Sequence, residues 1–127
     1  MDATELGKIP LFSDLSEDDL NALATYADEV TVSQGKHLVD EGGYAYDLFA
    51  IVEGTAQVIV GSEVVAELGP GDFFGEAGVL EKQQRNATVV AKTRMRLVTL
   101  TGWDLRRMRR QLGPVMDKLE QAIEQRR

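Results

Sequence analysis

The stretch Leu48-Phe49-Ala50-Ile51-Val52-Glu53-Gly54-Thr55-Ala56-Gln57-Val58-Ile59-Val60-Gly61-Ser62-Glu63-Val64-Val65-Ala66-Glu67-Leu68 decides the fold class. Within it Ala56, Val58 and Val60, then Val64, Ala66 and Leu68, alternate with their neighbours. That period of two is what a strand with one buried face requires. Gly61-Ser62 is a two-residue break suited to a tight hairpin, and Glu53-Gly54 punctuates the chain one strand earlier. The stretch therefore reads as three consecutive strands, Leu48–Val52, Thr55–Val60 and Glu63–Leu68.

The same texture extends on both sides. Ser33-Gln34-Gly35, Glu41-Gly42-Gly43 and Gly69-Pro70-Gly71-Asp72 are further breaks, and Asn86–Thr93 and Met95–Thr101 add two strands. Many short strands at this spacing predict a sandwich or barrel. Helical signals flank the series. Ser16 precedes Glu17-Asp18-Asp19, a capping start with acids in the first turn. Leu20, Leu23, Ala24 and Ala27 then follow at helical spacing, with Ile9, Leu11, Phe12 and Leu15 as an apolar lead-in. At the other end Leu105, Met108 and Leu112 share a face, Gly113-Pro114 breaks the chain with Pro114 placed for a helix start, and Met116, Leu119 and Ile123 share another face. The order is helix, strands, helices. It predicts one domain over residues 1–127, with a helical segment at 1–29, strands at 30–101 and two helices at 102–127.

Bulk properties narrow the function. The 127 residues are 43% hydrophobic and 28% charged, enough apolar material for one core. No apolar run approaches the length of a membrane span, and the start Met1-Asp2-Ala3-Thr4-Glu5 lacks the features of a signal peptide, so a cytoplasmic location is expected. With no cysteine and one histidine, His37, thiolate chemistry is excluded and a multi-histidine metal enzyme of the cupin type is disfavoured. His37 reads as an ordinary strand or turn residue. A net charge of −7 repels nucleic acid on average, although Arg106, Arg107, Arg109 and Arg110 cluster. That cluster reads as a solvated helix face, with a partner patch as the alternative.

The chemistry lies in Gly71-Asp72-Phe73-Phe74-Gly75-Glu76-Ala77-Gly78, continuing to Arg85-Asn86-Ala87-Thr88. Small residues at 75, 77 and 78 let a ligand approach the backbone, whose N–H groups donate to anionic oxygens. Arg85 offers a permanently charged fork matched to phosphate, and a carboxylate such as Glu76 accepts from sugar hydroxyls. Gly61, Gly69 and Gly71 read as simple turns, whereas Gly75 is assigned a functional role.

Phe74-Gly75-Glu76 followed by Arg85-Asn86-Ala87-Thr88 resembles the phosphate-binding cassette of cyclic-nucleotide-binding domains, a family that includes catabolite activator proteins and regulatory subunits of cyclic-AMP-dependent kinase. Asp40-Glu41-Gly42-Gly43 followed by Leu48–Val58 resembles the family's early hairpin, and Leu68-Gly69-Pro70-Gly71-Asp72 resembles its approach to that cassette. The resemblance implies a mainly β domain, an antiparallel β-roll (a double-stranded β-helix or jelly roll) with an N-terminal helix and two C-terminal helices. It implies that the cassette occupies 74–88. There Glu76 accepts from the ribose 2′-hydroxyl, Arg85 pairs with the cyclic phosphate, and Gly75, Ala77, Gly78, Asn86 and Ala87 line the ligand. Gln84 and Gly78 depart mildly from the pattern, and Asn86 leaves the base open, with cyclic AMP favoured over cyclic GMP. No catalysis and no cofactor beyond this ligand are implied.

The expectation is a regulatory sensor whose C-terminal helices signal to a protein partner or an effector domain, with homodimerisation as a further option. No direct DNA binding is expected, because the chain ends at Arg127 without a helix-turn-helix. A ligand-free module for protein–protein interaction is the rival. Trp103 reads as a core residue, with contact to a bound base as the alternative, and Met116, Leu119 and Ile123 fit core and interface equally well.

Overall fold

A hydroxyl at Ser16 is needed because the first N–H groups of a helix have no partner inside it. In the computed structural model, which describes residues 1–42, 47–76 and 87–126, Ser16 Oγ accepts from Asp19 N–H at 3.1 Å and opens the helix. Three helical elements lead in: α1 (Ala3–Leu6), a 3-10 turn (Pro10–Phe12) and α2 (Glu17–Ala24). Helix α2 stops earlier than the spacing predicted. Ala27 lies beyond it, yet is buried with Leu23.

The strands follow as β1 (Asp28–Val32), β2 (His37–Val39), β3 (Leu48–Glu53), β4 (Ala56–Val60), β5 (Glu63–Leu68), β6 (Phe73–Phe74), β7 (Thr88–Ala91) and β8 (Met95–Leu100). They form two antiparallel four-stranded sheets, ordered β1-β8-β3-β6 and β2-β7-β4-β5. This is the β-roll expected. The β4–β5 hairpin turns at Gly61 with φ +63°, and Ala56 pairs with Leu68 at its far end. Strand β7 is shorter than the predicted Asn86–Thr93; Lys92 and Thr93 leave it for a turn whose N–H groups donate to the Thr55 carbonyl.

Burial differs from the expectation, for a topological reason. In β3 the side chains of Phe49 and Ile51 enter the space between the sheets, while Leu48 and Ala50 face the helices. In β8 the same division sends Met95 and Leu97 one way, and Val98 and Leu100 the other. These strands have two covered faces and read as continuous apolar runs. Strand β5 is the opposite case. It lies at the edge of its sheet, and Val64 and Val65 are 53% and 56% exposed, so its alternation marks no buried face.

Two helices close the chain: α3 (Gly102–Gln111) and α4 (Gly113–Arg126). Thr101 and Asp104 form a reciprocal capping box at the start of α3. Leu105 and Met108 of α3 and Val115, Met116, Leu119 and Ile123 of α4 are buried against Leu6, Leu11, Phe12 and the outer face of β3 and β8. Met116, Leu119 and Ile123 are thus core residues. Each buried aliphatic side chain stabilises by roughly 1.5–3 kcal/mol. The half-exposed Arg109–Glu120 pair between the helices, at 2.7 Å, contributes about 0.5 kcal/mol. Packing, not charge, therefore holds α4. Trp103 corrects the expectation of a core residue: it is 66% exposed, on the opposite side of α3 from Leu105 and Met108. Among the described residues no helix is long and apolar enough to cross a membrane.

Candidate functional site

The turn Gly69-Pro70-Gly71-Asp72 is locked onto β3 before the site begins. Gly71 N–H donates to the Ile51 carbonyl at 3.0 Å, and Ile51 N–H donates to the Asp72 carbonyl at 2.9 Å. The Asp72 carboxylate accepts from Gly69 N–H at 2.8 Å. Strand β6 then pairs Phe74 with Phe49, and the two rings stack with centroids 5.0 Å apart. The aromatic pair fixes where Gly75 must lie.

Gly75 has φ +83°, a region that L side chains rarely adopt, and a Cβ placed on it would sit 2.1 Å from the carbonyl oxygen of Asp47. Only glycine fits. Glu76 follows, half-buried, in the wall of a cleft of about 640 Å³. Leu68, Gly71, Asp72 and Phe73 form the roll side of that cleft, and Gln125 and Arg126 at the end of α4 form the other. A carboxylate is thereby set at an opening bounded by both the roll and the C-terminal helix.

The far end of the segment is anchored to the second sheet. Ala87 is half-buried just before β7, and Thr88 Oγ1 accepts from Glu41 N–H at 3.1 Å. Glu41 in turn accepts from Gly61 N–H at 3.1 Å through its carboxylate. The segment 74–88 thus leaves one sheet at β6 and enters the other at β7. Of the residues singled out in the sequence, Gly75, Glu76 and Ala87 are placed, while Ala77, Gly78, Arg85 and Asn86 lie outside the described residues. His37 is exposed at the start of β2, with its Nδ1 2.8 Å from Asp40 Oδ1.

Asp47 is the residue that sequence reasoning missed. Its carbonyl packs on Gly75, and its carboxylate accepts from Gly102 N–H at 2.9 Å, at the start of α3. A single residue, through its carbonyl and its carboxylate, so joins the segment after β6 to the C-terminal helices. Gln125 and Arg126 were missed as well, because nothing in a helix sequence tells which strand turn its last residues will face.

Comparison with known proteins agrees with this arrangement. The family model described as "Cyclic nucleotide-binding domain" matches residues 29–111. A cAMP-dependent protein kinase regulatory subunit of Yarrowia lipolytica is 41% identical over 119 residues, which cover 91% of this chain and 31% of the relative. The chain thus spans about a third of the length of the curated relatives it matches. The crystal structure of the N-terminal domain of a transcriptional regulator from Streptomyces coelicolor A3(2) superposes with TM-score 0.78 at 27% identity, covering 99% of this chain and 92% of that one. The regulatory subunit of a cAMP-independent protein kinase A from Trypanosoma cruzi, bound to guanosine, gives TM-score 0.75 at 28% identity, with 90% and 41% covered. The match runs from within β1 to the end of α3, across both sheets and the segment that joins Phe74 to Thr88, and on this ground the chain belongs to the cyclic nucleotide-binding domain family.

Proposed function

We propose that this domain, spanning residues 1–127, is a cyclic-nucleotide sensor with cyclic AMP as its first ligand and cyclic GMP as its second. The observation that carries the reading is Gly75, held against Asp47 where no side chain fits, with Glu76 next to it in the wall of an open cleft. In this reading Glu76 accepts from the ribose 2′-hydroxyl, and Arg85 supplies the fork for the cyclic phosphate. Backbone groups at Gly75, Ala77, Gly78 and Ala87 and the side chain of Asn86 complete the lining. The domain binds and does not catalyse; its cytoplasmic location is part of the same proposal.

Signal leaves through α3 and α4. Asp47 touches Gly75 with its carbonyl and the start of α3 with its carboxylate, so a shift of the cassette changes the seat of α3. Nucleotide then shifts the population of helix positions by its differential affinity for them, and a protein partner, an effector domain or a second copy reads the result.

Calorimetric titration with cyclic AMP and cyclic GMP tests the reading. Saturable binding that Arg85→Ala weakens by about 2 kcal/mol or more is expected for a charge-assisted phosphate contact. Absence of binding by a folded chain overturns it. The guanosine held by the Trypanosoma cruzi relative favours one second reading, a nucleoside site, which guanosine in the same titration separates.

A further inference from the structure

A solvated helix face has no use for an exposed indole. On α3, Trp103, Arg106 and Arg110 stand at i, i+3 and i+7, one stripe opposite the buried Leu105 and Met108. Together with Arg109 they line a cleft of about 360 Å³. Arg106 lies over the indole with its Cζ 5.4 Å from the ring centre, within reach of a cation–π contact. Among the described residues no carboxylate lines the cleft. Two nearby acids are engaged by groups other than Arg106 and Arg110. Asp104 accepts from Thr101 Oγ1 at 2.8 Å, and Glu120 pairs with Arg109 at 2.7 Å. Arg106 and Arg110 have no carboxylate partner among the described residues. In a chain of net charge −7, this is a concentrated positive site beside an apolar plate.

We propose that this cleft is the docking site for a short acidic protein segment that also carries an apolar side chain. Its carboxylates take the forks of Arg106 and Arg110, and its apolar side chain covers Trp103. Charge complementarity selects the occupant. A nucleic acid would be repelled on average by a chain of net charge −7. A membrane surface would need an apolar helix face, and that of α3 is buried in the core. The proposal gives a chemistry to the partner that the sensor reading requires, but it stands without bound nucleotide.

Trp103 is the only tryptophan of the chain, so its emission reports on the cleft alone. The full chain is titrated, without nucleotide, with an end-capped Glu-Glu-Leu-Glu-Glu peptide. Lys-Lys-Leu-Lys-Lys, Glu-Glu-Ser-Glu-Glu, oligo(dT) and phosphatidylserine vesicles run alongside. A saturable blue shift with the first peptide is expected. It weakens about tenfold in Arg106→Gln/Arg110→Gln, and about tenfold when salt rises from about 50 to about 500 mM. Replacing leucine by serine weakens it several-fold. No shift at millimolar peptide, or an unchanged affinity in the double variant, overturns the proposal. So does a stronger response to oligo(dT) or vesicles, or an emission change that depends only on protein concentration and so assigns the cleft to a second copy. Both replaced arginines are at the surface, and circular dichroism verifies the variant's fold; Arg110→Gln alone serves if the double variant does not fold. Arg85→Ala separates the two readings, since it weakens nucleotide binding and leaves the peptide response intact.

Discussion

Asp47 and Gly75 meet backbone to backbone: the carbonyl oxygen of the first lies 2.1 Å from where a Cβ of the second would begin. Twenty-eight positions separate them in sequence. The contact sets the position of Glu76, and because the Asp47 carboxylate also accepts from Gly102 N–H, it sets the start of α3 in the same step.

Gly75→Ala has to break this contact and place alanine at φ +83°. The expected loss is at least about 2 kcal/mol, measured by urea unfolding. Gly61→Ala is the control. It has φ +63° but open space around it, so only the backbone term of about 1 kcal/mol remains. Equal losses at the two positions would sink the steric argument.

Asp47→Ala removes the acceptor for Gly102 N–H, the role of a helix cap. About 1 kcal/mol of stability should go, with faster amide exchange at the start of α3. If Asp47 joins the nucleotide site to the helices, the nucleotide-induced change in exchange over 102–126 also shrinks. Asp47→Asn keeps an acceptor oxygen and should lose less on both counts.

Thr99 is buried in β8, and its hydroxyl has no hydrogen-bond partner among the described residues. An unpaired buried hydroxyl is a cost, and valine has nearly the same shape. Thr99→Val should therefore be neutral or stabilise by up to about 1 kcal/mol. A clear loss in thermal midpoint would show that the hydroxyl is satisfied after all.

Acid should loosen the tie between α2 and α4. The hydrogen bond from Lys118 Nζ at 2.6 Å holds the Asp19 carboxyl below its ordinary value of 3.8, with help from Ser16. A depressed folded pKa stabilises above the unfolded pKa, and the contribution fades as pH falls through the folded value. A double-mutant cycle on Asp19→Asn and Lys118→Ala should give about 0.5 kcal/mol near neutrality. That coupling should hold to about pH 5 and vanish in stronger acid. A coupling independent of pH would refute the ion pair.

The sequence makes visible what is local. Ser16 as a cap, the Gly61-Ser62 hairpin, and the helix beginning at Gly113-Pro114 need only near neighbours. Thr101-x-x-Asp104 has the same form as Ser16-x-x-Asp19 and was equally readable as a helix start. Position within a sheet is a different matter. Alternation in Glu63–Leu68 records a strand but not that the strand is an edge, whereas Leu48–Ile51 has apolar residues on both sides because a helical layer covers its outer face. Trp103 failed for a related reason, since bulk and apolarity do not tell which side of α3 meets the core. Gly75 and Glu76 were legible through their resemblance to a cassette. Asp47 was not, because its contacts at Gly75 and Gly102 exist only once the chain has folded.

The place of β5 at the end of its sheet carries a consequence for handling. Among the described residues no strand pairs with its outer side, and valines stand where a neighbouring molecule could add a strand. Glu63 and Glu67 are the gatekeepers on that strand. The chain loses its net charge near pH 4.7, where mutual repulsion between molecules also disappears. Colloidal failure by edge-to-edge stacking therefore belongs to mildly acidic solutions, and a lysine in place of Val65 would keep such molecules apart there while leaving the interior of the roll untouched.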